Sequence, residues 1–372
     1  MRILLIGEYS NVHATLSEGL KMLGHEVVVA SNRDFWKNYP CDIELVRGNG
    51  LFSGLKLWVK VLWNLKRFRN FDIVQIINPM FLELKADKHV SILKYLIKHN
   101  RKLVLGAFGM DYYWVYENLM NKPMRYSDFN IGEKIRTDKD ALIARNDWLG
   151  TNKEKLNIFC AEKANAIITG LYEYDVCYRN VYPDKTTFIP MPIKPLNLKE
   201  TDIQSILHKN NKVIVFIGIS KNRSAYKGTD IMLKAAEDVQ ANYTEKMELR
   251  IAEGVPFQEY LKMMSDADII LDQLYSYTPG MNGLEAMNQG IVCIGGGEPE
   301  NYEILGEKEL RPIINVEPNY DSVYSAIENI IINSDLIPKL KLQSIEYIKR
   351  YHDYIKVAQK YEYQYTKLLC NP

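Results

Sequence analysis

The sequence predicts an α/β protein of two domains, each built around a doubly wound parallel sheet. Apolar segments of strand length alternate with segments of helical periodicity along most of the chain, as in parallel sheets flanked by helices. The alternation stops at a proline-rich segment near the middle and then starts again. With 372 residues, the chain is long for one domain and sufficient for two.

The first domain opens with a buried strand and an amphipathic helix. The strand "RILLIG" (2–7) is continuously apolar and ends in glycine, as expected for a strand covered on both faces. In the helix "VHATLSEGLKMLG" (12–24), Leu16, Leu20 and Leu23 have helical spacing and Gly24 is the expected stop. Further strands are predicted at residues 26–31, 72–77, 102–108, 165–170 and 186–190.

The domain boundary is predicted at "IPMPIKPLNL" (189–198), because three prolines in seven residues favour an extended connector. This divides the chain into a first domain of residues 1–192, a second domain of residues 193–350, and a C-terminal helix, 351–372, that is a candidate to cross back to the first domain. In the second domain, strands are predicted at residues 212–218, 246–252, 267–273 and 290–295, and helices at 229–239, at 256–264 and around Glu285.

Composition excludes some classes of protein. Lys plus Arg (47) nearly equals Asp plus Glu (46), so bulk binding to nucleic acid is not expected. The five cysteines are scattered and lack CxxC spacing, which is typical of a reducing compartment and of neither a disulfide frame nor a zinc site. The N-terminal segment lacks the pattern of a secretory signal, and no segment is long and apolar enough for a membrane span. We therefore expect a cytoplasmic protein.

Ligands of doubly wound sheets bind at the carboxyl ends of the strands, and with two such domains we expect these ends to face each other across a cleft. The loop "GISKNRSAYKGTD" follows strand 212–218 and contains Lys221, Arg223 and Lys227, with no acid before Asp230. It leads into a helix whose first turn offers free N–H groups. This arrangement suits a diphosphate. The alternative is a solvated basic loop.

A second loop, "YSYTPGMNGLEAMNQG" (275–290), passes through a turn at Pro279–Gly280 and enters a helix. The N–H groups of Gly280, Met281 and Asn282 are placed to face a phosphate. Glu285, about one turn further on, suits a bidentate contact to two ribose hydroxyls. The alternative is that Glu285 is simply an acid that favours a helix N-terminus.

Together these loops resemble the nucleotide-sugar half of a GT-B glycosyltransferase. The pattern "FIG…R…KG", followed some sixty residues later by "G…LEAM..G..V…GG", resembles the retaining enzymes of glycosyltransferase family 4, over residues 212–303. The resemblance implies a fold of two Rossmann-like domains. It also implies that Arg223 and Lys227 contact the diphosphate, that Glu285 binds the ribose, and that Gly295–Gly297, with Gly296 at the centre, form the turn beside the sugar.

The sequence departs from the family pattern at two positions. Tyr277 stands where the family usually has a second glutamate that helps to hold the donor sugar, and Ile219 stands where an arginine commonly follows the strand. Asp272, Glu298 or Glu300 could replace the missing carboxylate from neighbouring loops. We include Glu298 among the candidate donor-binding residues.

In such enzymes the loops of the first domain bind the acceptor, and one of them reaches the donor sugar. Asp111, in "GAFGMDYYW", is the first candidate for a catalytic residue and His13 is the second. Glu8, Asn11 and Tyr112 are candidates for acceptor binding. The alternatives are structural, because Asp111 before a helix would make an ordinary N-cap and His13 a capping or packing residue.

The segment "GLKLWVKVLWNLKRFRNF" (54–71) contains five basic residues and no acid. Leu55, Val59 and Leu62 fall on one helical face, with Trp58 and Trp63 near its edges. The pattern is typical of a helix on an anionic membrane surface. It is also typical of a helix that covers a sheet and leaves a wet basic face, which is the interpretation we favour.

The sequence therefore predicts an enzyme that transfers a sugar from a nucleoside diphosphate sugar to a hydroxyl of a glycan or lipid-linked glycan, as in polysaccharide biosynthesis. Retention at the anomeric carbon is expected. No metal and no cofactor are expected, since the sequence has no DxD pair and no dense His/Asp/Glu cluster. The alternatives are a nucleotide-sugar epimerase or hydrolase of the same fold and a non-catalytic nucleotide-sugar-binding protein. A dinucleotide dehydrogenase is disfavoured because GxGxxG is missing after the first strand.

Overall fold

The computed structural model describes residues 1–34, 37–207, 211–219 and 224–370. Between residues 1 and 192 the elements are, in chain order, β1 (Arg2–Ile6), α1 (Val12–Met22), β2 (Glu26–Ser31), β3 (Ile43–Glu44), α2 (Ser53–Asn64), β4 (Ile73–Ile76), α3 (Ala86–His99), β5 (Lys102–Ala107), α4 (Tyr112–Met120), β6 (Asn130–Ile131), β7 (Lys134–Ile135), α5 (Lys139–Trp148), α6 (Asn152–Lys163), β8 (Ala166–Thr169), α7 (Tyr172–Arg179) and β9 (Thr186–Phe188).

After residue 192 the elements are α8 (Glu200–Leu207), β10 (Val213–Ile219), α9 (Ser224–Lys227), α10 (Thr229–Asn242), β11 (Met247–Glu253), α11 (Phe257–Met264), β12 (Ile269–Leu271), α12 (Met281–Asn288), β13 (Val292–Gly295), α13 (Pro299–Leu305), β14 (Ile314–Asn315), α14 (Tyr320–Ile332), α15 (Ile337–Tyr347) and α16 (Tyr354–Cys370).

The chain divides into two compact units. The first unit comprises Met1–Asn121, Ala144–Pro192 and Tyr354–Pro372, and the second comprises Lys122–Ile143 and Ile193–Asp353. One division falls after Pro192, within the proline-rich connector. Residues 122–143 lie in the second unit, although the sequence pattern assigned them to the first domain. Helix α16 lies in the first unit.

The first unit contains a seven-stranded parallel sheet in the order β3-β2-β1-β4-β5-β8-β9. Its central strands are buried on both faces, which explains their continuous apolar sequences: Ile3, Leu4 and Leu5 have no exposed surface. The chain runs outward from β1 in both directions, so the topological switch point lies between β1 and β4, where ligands of this architecture bind.

The second unit contains a five-stranded parallel sheet in the order β11-β10-β12-β13-β14. Its core includes Val215 and Ile217 from β10, Met232 from α10 and Val292 from β13, all without exposed surface. The switch point lies between β10 and β12. The two sheets confirm the predicted α/β class with doubly wound domains.

Helix α2 packs against the first unit through a different face from the one that its apolar pattern suggested. Its buried residues are Ser53, Leu57 and Val61. Leu55 and Leu62, which we expected to cover the sheet, are 60% and 42% exposed. The prediction of a sheet-covering face at Leu55, Val59 and Leu62 is therefore wrong, because the helix has a second apolar face and that one is buried.

Candidate functional site

The loops after β10 and β12 meet at the switch point of the second unit. Lys227 ends α9, and its carbonyl oxygen accepts a hydrogen bond from the Leu274 N–H at 2.9 Å. Gly228, the N-cap of α10, has a φ of 71°, and a Cβ there would come within 2.6 Å of the Leu274 Cβ. Glycine is needed at this position for both reasons. The close contact fixes Lys227 beside the loop that follows β12.

Asp272 lies at the N-terminus of α12, where the charge of Lys227 also acts on it. Its buried carboxylate accepts a hydrogen bond from the Gly280 N–H at 2.8 Å, and Gly283 lies directly beside the same oxygen. Burial raises the pKa of Asp272, while the charge of Lys227 acts in the opposite direction. A cationic side chain and a positive helix end therefore converge on one carboxylate.

Helix α12 carries the other candidate donor-binding residues of this loop. Gly280 is its N-cap, and Met281 and Asn282 form its first turn, both partly exposed. The Asn282 side-chain oxygen accepts a hydrogen bond from the Tyr260 hydroxyl at 2.7 Å. Glu285 is half-buried, and burial raises the pKa of its carboxyl group.

Tyr260 was not a candidate from the sequence. Its ring lies edge-on to Phe216 of β10, and a Cβ on Gly218 would come within 2.7 Å of it. It therefore links the carboxyl end of β10 to the start of α12. An aromatic residue in an amphipathic helix gives no local signal of such a contact.

The turn after β13 packs against the loop after β12. A Cβ on Gly296 would lie 2.3 Å from the Ser276 carbonyl oxygen, so only glycine permits this approach. The Glu298 N–H donates to the Tyr277 carbonyl oxygen at 3.1 Å. The backbone of the glycine-rich turn after β13 therefore packs directly against the backbone of the loop after β12.

The Glu298 carboxylate is 5% exposed and is held by residues 122–143. It accepts hydrogen bonds from Arg125 Nη2 at 2.6 Å and from the Tyr126 hydroxyl, and Arg125 Nη1 donates to Glu300 at 2.6 Å. Both carboxylates that the sequence offered as replacements from this turn are therefore paired with one arginine. The donor-binding role of Glu298 stays a prediction.

Tyr277 anchors the same segment. Its hydroxyl accepts a hydrogen bond from the Arg125 backbone N–H at 2.7 Å, and the Arg125 guanidinium lies 5.0 Å from its ring centroid. Tyr277 is 1% exposed. Tyr277 therefore holds residues 122–143 in place.

Arg136 attaches the segment to the loop after β10. It donates to the carbonyl oxygens of Ala225 at 2.8 Å and Tyr226 at 3.4 Å, and its guanidinium lies 3.6 Å from the ring centroid of Tyr275. The Tyr226 hydroxyl donates to Asp128. Residues 122–143 thus bind the loops after β10, β12 and β13, although we had not included them among the site residues. Arg223, predicted to contact the diphosphate, lies outside the described residues.

In the first unit, Glu8 and Asn11 stand at the start of α1. The buried Glu8 carboxylate accepts from the N–H groups of His13 at 3.3 Å and Ala14 at 2.8 Å. Burial raises the pKa of Glu8 to about 8. Asn11 is partly exposed, with a φ of 70°, and its side chain does not cap the helix. Glu8 therefore acts as the cap.

His13 has no exposed surface. Its Nδ1 donates to the Gly7 carbonyl oxygen at 2.9 Å, and its Nε2 accepts from the Gln75 amide at 3.1 Å. Burial lowers the pKa of His13 to about 3, so the ring is neutral. The Gln75 oxygen in turn accepts from the Tyr365 hydroxyl of α16 at 2.8 Å.

Asp111 is the N-cap of α4 and has no exposed surface. Its carboxylate accepts from the Trp114 N–H at 2.9 Å and from the Tyr178 hydroxyl at 2.6 Å. Burial raises the pKa of Asp111 to about 7. Tyr112 is partly exposed and stacks on Tyr116, with ring centroids 5.3 Å apart. The catalytic role of Asp111 stays a prediction.

Asn78 joins the loops after β4 and β5. Its amide donates to the carbonyl oxygens of Gly109 and Met110, both at 3.3 Å. The ring of Tyr9, from the loop after β1, lies beside Gly109. The loops after β1 and β5, which supply the predicted acceptor residues, therefore meet the loop after β4 at the switch point of this sheet.

We also searched the structure for metal-binding clusters and for cavities. Across the parts of the chain that the structure describes, no group of three or more His, Cys, Asp or Glu side chains is arranged to hold a metal ion. A cavity lined by Lys212, Asp268 and Lys341 lies at the amino ends of β10 and β12. Because ligands of doubly wound sheets bind at the opposite ends of the strands, this cavity is separate from the candidate site.

Comparison with known proteins supports the fold. No protein-family model matches the chain, and no curated protein matches its sequence. The sucrose-phosphate synthase tll1590 from Thermosynechococcus elongatus is similar in structure, with a TM-score of 0.61 and 14% identity over 100% of both chains. Anabaena Alr3699/HepE, solved in complex with UDP-glucose, has a TM-score of 0.60 and 12% identity over 99% of this chain and 100% of that one.

A third structure is WaaG, a glycosyltransferase involved in lipopolysaccharide biosynthesis. Its TM-score is 0.59 and its identity 13%, over 97% of this chain and 99% of WaaG. At these identities the likeness establishes architecture and leaves the substrates open. Two doubly wound units and these full-length matches show that the chain has the GT-B fold of glycosyltransferases.

Proposed function

We propose that the protein is a glycosyltransferase that moves a sugar from a nucleoside diphosphate sugar to a hydroxyl of a glycan or lipid-linked glycan. The observation that carries the proposal is the convergence of Lys227 and the N-terminus of α12 on Asp272, at the switch point of the second unit. Glu285 stands on the same helix. This combination of groups suits a diphosphate linked to a ribose.

In the proposed reaction, the bond between the anomeric carbon and the diphosphate oxygen breaks, a bond to the acceptor oxygen forms, and the proton of the acceptor hydroxyl passes to the leaving diphosphate. Negative charge develops on the leaving diphosphate. Lys227 and the N–H groups at the start of α12 would stabilise that charge, so the proposal includes metal-independent transfer, with retention at the anomeric carbon. Glu285 would accept hydrogen bonds from the ribose hydroxyls.

The first unit would bind the acceptor. Its loops after β1, β4 and β5 converge through Tyr9, Asn78 and Gly109. These loops present Asn11 and Tyr112 with partly exposed side chains. Since HepE was solved with UDP-glucose, a uridine diphosphate sugar is the first donor to test.

A second candidate is a non-catalytic nucleotide-sugar-binding protein. The observation that favours it is Tyr277. This residue stands where family 4 usually has a sugar-binding glutamate, and its hydroxyl accepts a hydrogen bond from the Arg125 N–H. An epimerase or hydrolase would release an epimer or free sugar from a labelled donor. Transfer of label to an acceptor would support the glycosyltransferase and contradict all of these alternatives.

The test is a thermal-shift screen of nucleoside diphosphates and their sugars. A donor at about 100 times its dissociation constant should stabilise the wild-type protein by about 2.7 kcal/mol. Lys227→Ala and Glu285→Ala each remove a charged hydrogen-bonding partner and should weaken donor binding about 10- to 100-fold. The donor-induced shift is measured from each variant's own melting temperature, which Lys227→Ala should lower because the buried Asp272 carboxylate loses the opposing charge of Lys227.

Lys234→Ala and Glu237→Ala are matched controls, because both side chains are exposed on α10. They should keep the full donor-induced shift. If Lys227→Ala and Glu285→Ala also keep it, the donor site is placed wrongly.

A further inference from the structure

Helix α2 and the turn before it carry six large apolar side chains that keep at least 39% of their surface exposed. We refer to them as the apolar stripe; they are Leu51 (95% exposed), Phe52 (66%), Leu55 (60%), Val59 (39%), Leu62 (42%) and Trp63 (82%). Single exposed apolar residues are common on protein surfaces, but six within thirteen residues are not.

The stripe is continuous along the helix. Within α2, Leu55, Val59 and Trp63 follow one another at intervals of four residues, which places them on one face, and Leu51 and Phe52 lie in the turn before the helix. The opposite face packs against the protein through Leu57 and Val61. The helix is therefore fixed by one apolar face while it presents another outward.

Positive charge surrounds the stripe. Between Glu44 and Asp72 the sequence contains six Lys or Arg residues and no acid. Lys66 and Arg67 are exposed and follow Leu62 and Trp63 by four residues each, and Lys56 is exposed beside Leu55. Two acids close to this segment are already engaged: Glu44 lies 4.0 Å from Lys60 and 3.7 Å from Arg33, and Glu83 accepts a hydrogen bond from the Arg47 N–H.

We propose that this face of α2 binds the surface of an anionic lipid bilayer. Apolar side chains of an interfacial helix enter the boundary between headgroups and acyl chains, while flanking Lys and Arg contact anionic headgroups. Trp63 is well suited to that boundary, because its ring is amphipathic. Among the residues that the structure describes, no helix is long and apolar enough to cross a membrane.

The positive charge beside the apolar stripe favours an anionic membrane over a second copy of the chain as its binding partner. If two copies met through their stripes, Lys56, Lys66 and Arg67 of each would lie close to the same residues of the other. Like charges facing each other across an interface destabilise it. An anionic bilayer complements both the stripe and its basic flank.

The inference goes beyond the proposed function, since it uses no donor-site residue. Its consequence for the reaction rests on the proposed function: a glycosyltransferase bound to a bilayer through α2 would act at the membrane surface, where lipid-linked acceptors are located.

The test is co-sedimentation of the full-length protein with vesicles of phosphatidylcholine, with and without about 30 mol% phosphatidylglycerol. The wild type should bind the anionic vesicles, bind the neutral ones at least about tenfold more weakly, and dissociate in about 0.5 M salt. The triple variant Leu55→Gln/Leu62→Gln/Trp63→Gln should lose binding to both. The variant Lys56→Gln/Lys66→Gln/Arg67→Gln should lose the preference for anionic lipid.

A matched control is Ile332→Gln/Leu336→Gln/Leu342→Gln, which changes three exposed apolar residues of the second unit (52%, 51% and 42%) outside the stripe. It should bind vesicles as the wild type does. Lys227→Ala should also bind vesicles normally, so failure of the donor site and failure of this inference are distinguishable. The inference is overturned if the wild type does not bind anionic vesicles or if the triple variant Leu55→Gln/Leu62→Gln/Trp63→Gln still binds them. It is also overturned if light scattering shows a dimer that only this triple variant disrupts.

Discussion

Two buried carboxylates of the first unit, Glu8 and Asp111, serve as helix caps. Each accepts hydrogen bonds from N–H groups in the first turn of a helix, which favours the charged form, yet burial dominates and raises the pKa of both. Both residues were candidates for binding or catalysis from their position after a strand. Position alone does not distinguish the two roles, because the first turn of the following helix needs an acceptor in either case.

The variant Asp111→Asn tests the structural role of Asp111 through the pH dependence of protein stability. The pKa of Asp111 in the folded protein is about 7, above its value in the unfolded chain, so the folded protein binds the proton more tightly. The stability from this group is complete below the unfolded pKa and is lost as pH rises toward 7, by up to about 1.4 kcal/mol per pH unit. Asparagine caps equally well and does not titrate. The melting temperature of Asp111→Asn relative to the wild type should therefore rise between pH 5 and pH 8.

Asp87→Asn is the control, since Asp87 is exposed in the first turn of α3. Its melting temperature relative to the wild type should change little over the same range. A flat difference for Asp111→Asn would contradict the raised pKa. If sugar transfer is lost in Asp111→Asn while the fold remains stable, the residue is catalytic after all.

At the scale of elements, residues 122–143 are the least expected part of the second unit. Their short antiparallel hairpin, β6 and β7, is held by Arg125 at one end and Arg136 at the other. Arg136 is 8% exposed, and three carbonyl oxygens, the Asp138 carboxylate and the Tyr275 ring surround its guanidinium. A buried arginine with this many partners is a strong attachment point.

Arg136→Ala should release the segment without unfolding the protein. The amides of Ser127, Gly132 and Arg136 donate within the segment, and their exchange with deuterium reports its local stability. Loss of the arginine leaves the carbonyl partners without a donor, which costs about 1–3 kcal/mol and should speed exchange of these amides about 10- to 100-fold. Mass spectrometry of peptides from residues 124–136 measures this.

Lys134→Ala is the control in the same hairpin, where Lys134 is exposed. Exchange in this variant should match the wild type. Equal exchange in Arg136→Ala and Lys134→Ala would show that the contacts to Ala225 and Tyr226 do not hold the segment.

At the scale of the whole chain, the last helix completes the first unit. Helix α16 packs on α1, where Gly19 lies so close that a Cβ would stand 2.6 Å from the Tyr354 carbonyl oxygen and 2.8 Å from the Ala358 Cβ. Glu362 contacts His25 at 2.8 Å, and Tyr365 donates to Gln75. The first and last parts of the sequence therefore form one structure.

Gly19→Ala should destabilise the protein, although alanine is the better helix former. The added methyl group must displace the backbone of α16, which costs about 1–3 kcal/mol against a helix-propensity gain of about 1 kcal/mol. Calorimetry should show a lower melting temperature.

Gly54→Ala in α2 is the control, because its Cβ would meet only the Arg47 side chain, at 3.5 Å. It should leave the melting temperature unchanged or raise it. A Gly19→Ala protein as stable as Gly54→Ala would show that α16 does not pack closely on α1.

The sequence by itself determined the α/β class and the positions of most strands in the two sheets. These features depend on local patterns, since a buried parallel strand must be apolar throughout and glycine or proline must end or separate the elements. The loops after β10, β12 and β13 followed as candidate positions, because adjacent parallel strands end at one edge of a sheet.

Only the tertiary structure decided which side chains contact one another in and around these loops and sheets. Arg125 and Glu298 are 173 residues apart in the chain, and Tyr365 and Gln75 are 290 apart, so no local pattern records their contacts. The same holds for α2: its periodicity shows two apolar faces, and the surface of the first unit determines which one is buried. Local patterns specify the elements of this protein, whereas its polar contacts and its exposed face arise from packing between distant segments.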